Sequence, residues 1–108
     1  LTVSEQVALL AQAEAVISPH GAGLTNIMFC SPGTKIIEIF SPNYVIITYW
    51  VISNHCHLDY YYMLGENDFD DPEAKRLACL RYDQRCRFKN IFVNINFLSQ
   101  LMNIAGLI

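Results

Sequence analysis

The chain contains the segment Ile17-Ser18-Pro19-His20-Gly21-Ala22-Gly23-Leu24-Thr25-Asn26, which reads as the end of a strand, a glycine loop and the start of a helix. Glycines let the backbone approach a ligand closely, and the free N–H groups at a helix start favour an anion. The segment therefore predicts a phosphate site. The alternative from sequence is a glycine turn that only tightens strand–helix packing, because a single Gly-x-Gly pair is a weak motif.

Helical and strand patterns alternate around this loop. They predict a helix over residues 3–13 capped by Thr2, a strand over residues 15–18, a helix from Leu24 to the Pro32-Gly33 turn, a strand over Lys35–Phe40, a helix over residues 44–56, a strand over residues 58–64, a last strand over residues 91–95 and a final helix capped by Asn96 and closed by Gly106. Such alternation with short connections predicts an α/β fold, a Rossmann-like parallel sheet with flanking helices.

Composition limits the class of protein. With 108 residues, of which 53% are hydrophobic and 16% charged, the chain is one domain and not a disordered segment. A net charge of −3 gives no basic surface for nucleic acid. No apolar run or leader pattern marks a membrane span or signal, so we expect a soluble, cytoplasmic protein, with the Golgi lumen as the alternative if an anchor lies upstream.

The cysteines and charged residues indicate no metal site. Cys30, Cys56, Cys79 and Cys86 stand far apart and suit reduced thiols, and His55-Cys56-His57 reads as the end of a helix. Residues 66–73 are acidic and residues 75–89 are rich in basic side chains, which favours a solvated loop over a divalent-ion site.

Short motifs follow one another along the chain: His20-Gly21-Ala22-Gly23-Leu24-Thr25-Asn26, then Pro32-Gly33-Thr34 with Ile37-Glu38-Ile39-Phe40, then Tyr49-Trp50 and Asp59-Tyr60-Tyr61-Tyr62. Their series resembles the C-terminal part of glycosyltransferase family 61. The resemblance covers residues 1 to about 65 and resumes at Asn94-Ile95-Asn96, while residues 66–90 are not diagnostic.

The resemblance implies that residues 1–108 are the nucleotide-sugar-binding C-terminal half of a GT-B enzyme. Such an enzyme transfers a sugar from a nucleotide-sugar donor to a hydroxyl of a glycan or protein acceptor, with inversion and without a metal or other cofactor. The resemblance implies that an acceptor-binding N-terminal domain is missing from the chain, so we expect the isolated chain to be inactive. Apolar surface left uncovered should bind that domain or a second copy.

The donor diphosphate is expected beyond the carboxyl end of the first strand, where parallel sheets bind ligands. The candidate catalytic residue is His20, and the candidate substrate-binding residues are Gly21, Ala22, Gly23, Leu24, Thr25, Asn26 and Glu38. For His20 and Glu38 a structural role stays open, since His20 can hydrogen-bond the loop and a buried Glu38 needs partners such as ribose hydroxyls or a helix N-terminus.

Aromatic residues in the helix predicted over residues 44–56 and the strand predicted over residues 58–64 fit core and sheet-face positions better than sugar-stacking ones. They are Trp50, Tyr60, Tyr61 and Tyr62. Two other functions are compatible with parts of the pattern. A dinucleotide-binding oxidoreductase is disfavoured because Asn26 stands where the third glycine belongs. A truncated, non-catalytic nucleotide-binding or interaction module remains the alternative to a transferase.

Overall fold

A parallel sheet whose middle strand is buried beyond its first residue organises the chain. The computed structural model describes residues 2–42, 44–66 and 92–108. The sheet contains β1 (Ala15–Pro19), β2 (Lys35–Phe40) and β3 (Asp59–Leu64), in the order β1-β2-β3, with both neighbouring pairs parallel. An apolar, β-branched run such as Ile36-Ile37 suits a strand that is covered on both faces. The predicted α/β class with a parallel sheet is confirmed.

Helices connect and flank the strands. They are α1 (Val3–Gln12), a 3₁₀ helix (Ala22–Phe29), α2 (Thr48–His55) and α3 (Ile95–Ile104). The predicted cap of α1 is confirmed, because the Thr2 hydroxyl accepts a hydrogen bond from the Glu5 N–H at 3.1 Å. Gly33 and Gly106 both have a left-handed φ, at 88° and 80°, which explains why glycine ends the adjacent elements.

The core lies between one face of the sheet and the first three helices. Its buried members are Leu24, Ile27, Cys30, Ile36, Tyr49 and Leu58. Strand alternation and the register, which pairs Glu38 with Tyr62, place Glu38, Phe40, Tyr60 and Tyr62 on this same face. An ionisable side chain, Glu38, therefore lies in the layer that holds the apolar core.

Two predicted boundaries are wrong. The second α-helix begins at Thr48 and not at Tyr44, since residues 45–47 have no regular structure and Ile47 at the N-cap offers no capping side chain. The final helix begins at Ile95, inside the predicted last strand. Asn94 is its cap rather than Asn96, and the Asn94 amide oxygen accepts hydrogen bonds from the N–H groups of Asn96 and Phe97. This capping chemistry favours a helix over the extended pattern expected there.

Several expectations fall outside the described residues: most of the acidic segment after Glu66, the basic segment 75–89, and Cys79 and Cys86. Cys30 and Cys56 are free thiols. Within the described part, none of the helices has the length and apolarity needed to cross a membrane. α3 exposes Ile95 and Ile104 to solvent. The expected self-association through apolar surface stays a prediction.

Candidate functional site

His20 occupies the first position after β1, where the backbone leaves the sheet. Its N–H still donates to the Ile39 carbonyl of β2 at 2.9 Å, so the ladder between the two strands extends one residue beyond β1. This bond fixes the His20 backbone at the carboxyl end of the sheet. The glycine loop begins at the next residue, which places His20 at the entrance of the loop.

The His20 side chain joins a buried carboxylate. Its Nδ1 lies 2.5 Å from Oε2 of Glu38, and the Tyr60 hydroxyl donates to Oε1 of the same carboxylate at 2.5 Å. Glu38 is 0% exposed. We call His20, Glu38 and Tyr60 the His20 network. It links β1, β2 and β3, because each strand or strand end contributes one member.

Burial of the Glu38 carboxylate is costly unless hydrogen bonds replace the lost water. The network supplies two such bonds, one to each oxygen. Burial and the hydrogen bond to Glu38 raise the pKa of the Tyr60 hydroxyl above its ordinary value, so Tyr60 stays a proton donor. An ionised carboxylate only accepts hydrogen bonds. Opposite an ionised carboxylate, Nδ1 of His20 is the donor in this contact, and Nε2 is the other ring nitrogen.

Aromatic rings surround the imidazole of His20. Phe40 stacks on it with ring centroids 5.5 Å apart, and Tyr49 and Tyr44 lie at 5.3 and 5.8 Å. The His20 side chain keeps 18% of its surface exposed. Packing on several sides and the bond to Glu38 together hold the ring in one orientation while leaving part of it open to a ligand.

The glycine loop is more compact than the sequence suggested. Gly21 is the N-cap of the 3₁₀ helix, and its carbonyl accepts the N–H of Leu24 at 3.1 Å, so Ala22 and Gly23 already belong to the helix. Gly21 has an extended backbone with φ 173°, and Gly23 is not in the left-handed region. A Cβ placed on Gly21 or Gly23 would meet no described atom within 4 Å. Nothing within the described residues thus requires glycine at either position.

The remaining candidates lie along the 3₁₀ helix. Leu24 is buried in the core and can offer a ligand only its backbone. The Thr25 hydroxyl lies 3.5 Å from the Tyr49 hydroxyl, and the Asn26 amide donates to Gln6 of α1 at 3.4 Å. Their roles in donor binding, like those of the glycines, Ala22 and Glu38, stay predictions. The structure brings His20 and Glu38 together but gives Asn26 a partner inside the chain.

Sequence reasoning missed Tyr60 as a member of the network. The only signal available was the position of Tyr60 on the strand after β2, and its pairing with Ile36 depends on the register of the sheet.

Trp50, expected among core and sheet-face residues, is 46% exposed. With Phe40, Tyr60, Tyr62 and residues 45–47 it lines a cavity of about 290 Å³, which we call the aromatic pocket.

Comparisons with known proteins agree with the motif series. The family model of glycosyltransferase 61 matches residues 1–37, which contain α1, β1 and the glycine loop. A beta-1,2-xylosyltransferase of Oryza sativa subsp. japonica is 36% identical over 55 residues, and one of Arabidopsis thaliana is 32% identical over 74 residues. The chain belongs to glycosyltransferase family 61.

The two alignments include 46% and 68% of this family 61 chain, but they span only 10% and 14% of the length of the rice and Arabidopsis relatives. No solved structure matches the chain. The matches therefore connect the His20 loop with family 61, whereas the geometry of the network and of the aromatic pocket comes from this structure alone.

Proposed function

We propose that this chain forms the donor-binding part of a nucleotide-sugar-dependent glycosyltransferase, the C-terminal half of a GT-B enzyme. The support begins with topology. In an open parallel sheet, ligands bind beyond the carboxyl ends of the strands. His20 and the two loop glycines follow the carboxyl end of β1, and the N–H groups at the start of the 3₁₀ helix lie next to them.

The contact between His20 Nδ1 and Glu38 Oε2 at 2.5 Å is the observation that carries the proposal. A histidine anchored by a buried carboxylate has one ring nitrogen fixed and the other available for a ligand. In the charged form Nε2 donates a hydrogen bond to a diphosphate oxygen, and the carboxylate behind the ring stabilises the positive charge. The open space over Gly21 and Gly23 leaves room for that diphosphate.

The proposed reaction is sugar transfer with inversion. The acceptor oxygen attacks the anomeric carbon, and the bond from that carbon to the diphosphate oxygen breaks. The leaving diphosphate takes the bonding electron pair, and the hydroxyl proton passes to a base. His20 and the loop N–H groups stabilise the charge that develops on the diphosphate, which is how a transferase dispenses with a metal ion.

Relatives and chain length suggest what the donor and acceptor are. Because both relatives are named beta-1,2-xylosyltransferases, we propose a nucleotide xylose as the first donor to test. The acceptor is a hydroxyl of a glycan or protein. We further propose that the acceptor site, and the base that activates the hydroxyl, lie outside these 108 residues, since the alignments span 10% and 14% of the relatives.

Calorimetric titration tests the donor site. Uridine diphosphate should bind in the presence of a metal chelator, and Gly23→Val should abolish that binding because the branched side chain fills the open space over the loop. Ala8→Val, on the exposed part of α1, controls for the cost of a β-branched residue in a helix. Equal binding of uridine and its diphosphate would contradict a phosphate site, and a strict need for magnesium would contradict the metal-free leaving group.

Catalysis is tested in a protein that also contains the acceptor region. His20→Ala also removes a donor from the buried Glu38, so its rate is measured where circular dichroism shows the variant to be folded, and there transfer should still be strongly reduced. His55→Ala, at the exposed end of α2, should change neither the rate nor the stability. Wild-type turnover by the His20→Ala enzyme would assign His20 a structural role. Diphosphate binding without any transfer would instead favour the alternative, a non-catalytic nucleotide-binding module.

A further inference from the structure

The aromatic pocket begins where the His20 network ends. Phe40 stacks on the His20 ring and also meets Tyr62 edge-on, with ring centroids 6.0 Å apart. Tyr60 contributes its hydroxyl to Glu38 and its ring to the pocket wall. Only the Phe40 ring therefore separates the apolar cavity from a ligand group bound at His20.

The lining favours a flat apolar ring over a sugar. Aromatic and aliphatic side chains form most of the wall, and two of its residues, Trp50 and Tyr62, are 46% and 58% exposed. A monosaccharide needs polar partners for its several hydroxyls. A nucleobase instead buries two π faces and carries its polar atoms on the edge.

Backbone groups for such an edge are present at the rim. In the described part of the chain, no backbone carbonyl accepts the N–H of Val45, Ile46 or Ile47, and these residues belong to no helix or strand. Backbone N–H groups are donors that seek a partner. A base that lies flat in the pocket can accept hydrogen bonds from this segment.

We propose that the aromatic pocket binds the nucleobase of the donor, with the base stacked between Trp50 and the rings on the sheet. This inference rests on the proposed function, because it takes the diphosphate at the glycine loop as the anchor for the base. The proposed function places the diphosphate at the glycine loop and assigns nothing to the pocket. The present inference assigns the pocket to the nucleoside. The volume of about 290 Å³ lies at the lower limit of small-ligand cavities, which is about 300 Å³.

Fluorescence of Trp50 provides the test, because Trp50 is the single tryptophan of the chain. Uridine and uridine diphosphate should both quench it by stacking. Inorganic pyrophosphate, measured by calorimetry, should bind without quenching, and xylose should give no signal. If pyrophosphate binds but uridine does not quench Trp50, the base site is overturned and the proposed function stays intact. If uridine quenches Trp50 but pyrophosphate does not bind, the phosphate site of the proposed function is overturned and the base site is supported. Quenching by xylose alone would assign the pocket to a sugar.

Substitutions on β3 make the test specific. Tyr62→Ala should weaken uridine diphosphate binding about tenfold, the usual effect of removing a stacking ring. Tyr62→Phe retains the ring and should restore affinity to within about twofold. Tyr61→Ala, on the opposite face of the same strand, is the matched control and should leave affinity unchanged. Equal affinity of Tyr62→Ala and the wild type would overturn the inference, provided that circular dichroism shows both to be folded.

Discussion

Replacement of Tyr60 by phenylalanine removes one oxygen from the centre of the fold and tests the His20 network. The Tyr60 hydroxyl is the donor to Oε1 of Glu38, and Glu38 is 0% exposed, so water cannot take its place without rearrangement. A hydrogen bond to a charged group contributes about 1.5–3 kcal/mol, and an unpaired buried acceptor is costly. The expected loss of stability for Tyr60→Phe is therefore about 2–3 kcal/mol.

Urea unfolding followed by circular dichroism measures this loss through linear extrapolation. Tyr62→Phe is the matched control on the same strand and face, and a surface change of this kind costs less than about 0.5 kcal/mol. Glu38→Gln should be less damaging in the Tyr60→Phe background than in the wild type, because the two side chains act as a unit. A Tyr60→Phe variant as stable as Tyr62→Phe, with additive effects in the double variant, would refute the network.

Further outcomes follow from single positions. Gly33→Ala should destabilise the chain by about 1 kcal/mol because its φ is 88°, whereas Gly23→Ala should not destabilise it; equal melting temperatures would contradict this. Ser53→Ala should raise stability or leave it unchanged in thermal unfolding, since the Ser53 hydroxyl is buried without a partner in the described part of the chain. The raised pKa of Tyr60 adds stability that is complete below the unfolded value of about pH 10 and is lost as the pH rises above it. Urea unfolding across that range should show a steeper loss for the wild type than for Tyr60→Phe.

Local signals in the sequence predicted much of the fold. The Thr2 cap, the Pro32-Gly33 turn and the apolar run of β2 each act within a few residues, and each element lies close to where they place it. The glycine loop was predicted for the same reason. Interactions between residues close in sequence, which can be recognised from the sequence itself, were sufficient to predict these features.

Long-range register was not available from the sequence. The partners of Glu38 come from His20 and Tyr60, which are 18 and 22 residues away, and only the pairing of β2 with β1 and β3 brings them together. Reasoning from Glu38 alone could state that a buried carboxylate needs donors, but it named ribose hydroxyls or a helix end. The aromatic pocket was missed for a similar reason, because its rim at residues 45–47 was expected to be helical.

The way the His20 network spans all three strands restricts how this sequence can drift over generations. A substitution at Glu38 alone leaves two donors without their acceptor, and a substitution at His20 or Tyr60 alone leaves the buried carboxylate with one donor fewer. Related sequences should therefore replace the buried acid together with its donors. Intermediates that carry only one of these substitutions should be less stable. If the proposed role of His20 holds, lineages that lose sugar transfer would be free to replace the three side chains by apolar ones, and the loss would appear in the middle of the sheet rather than at the loop.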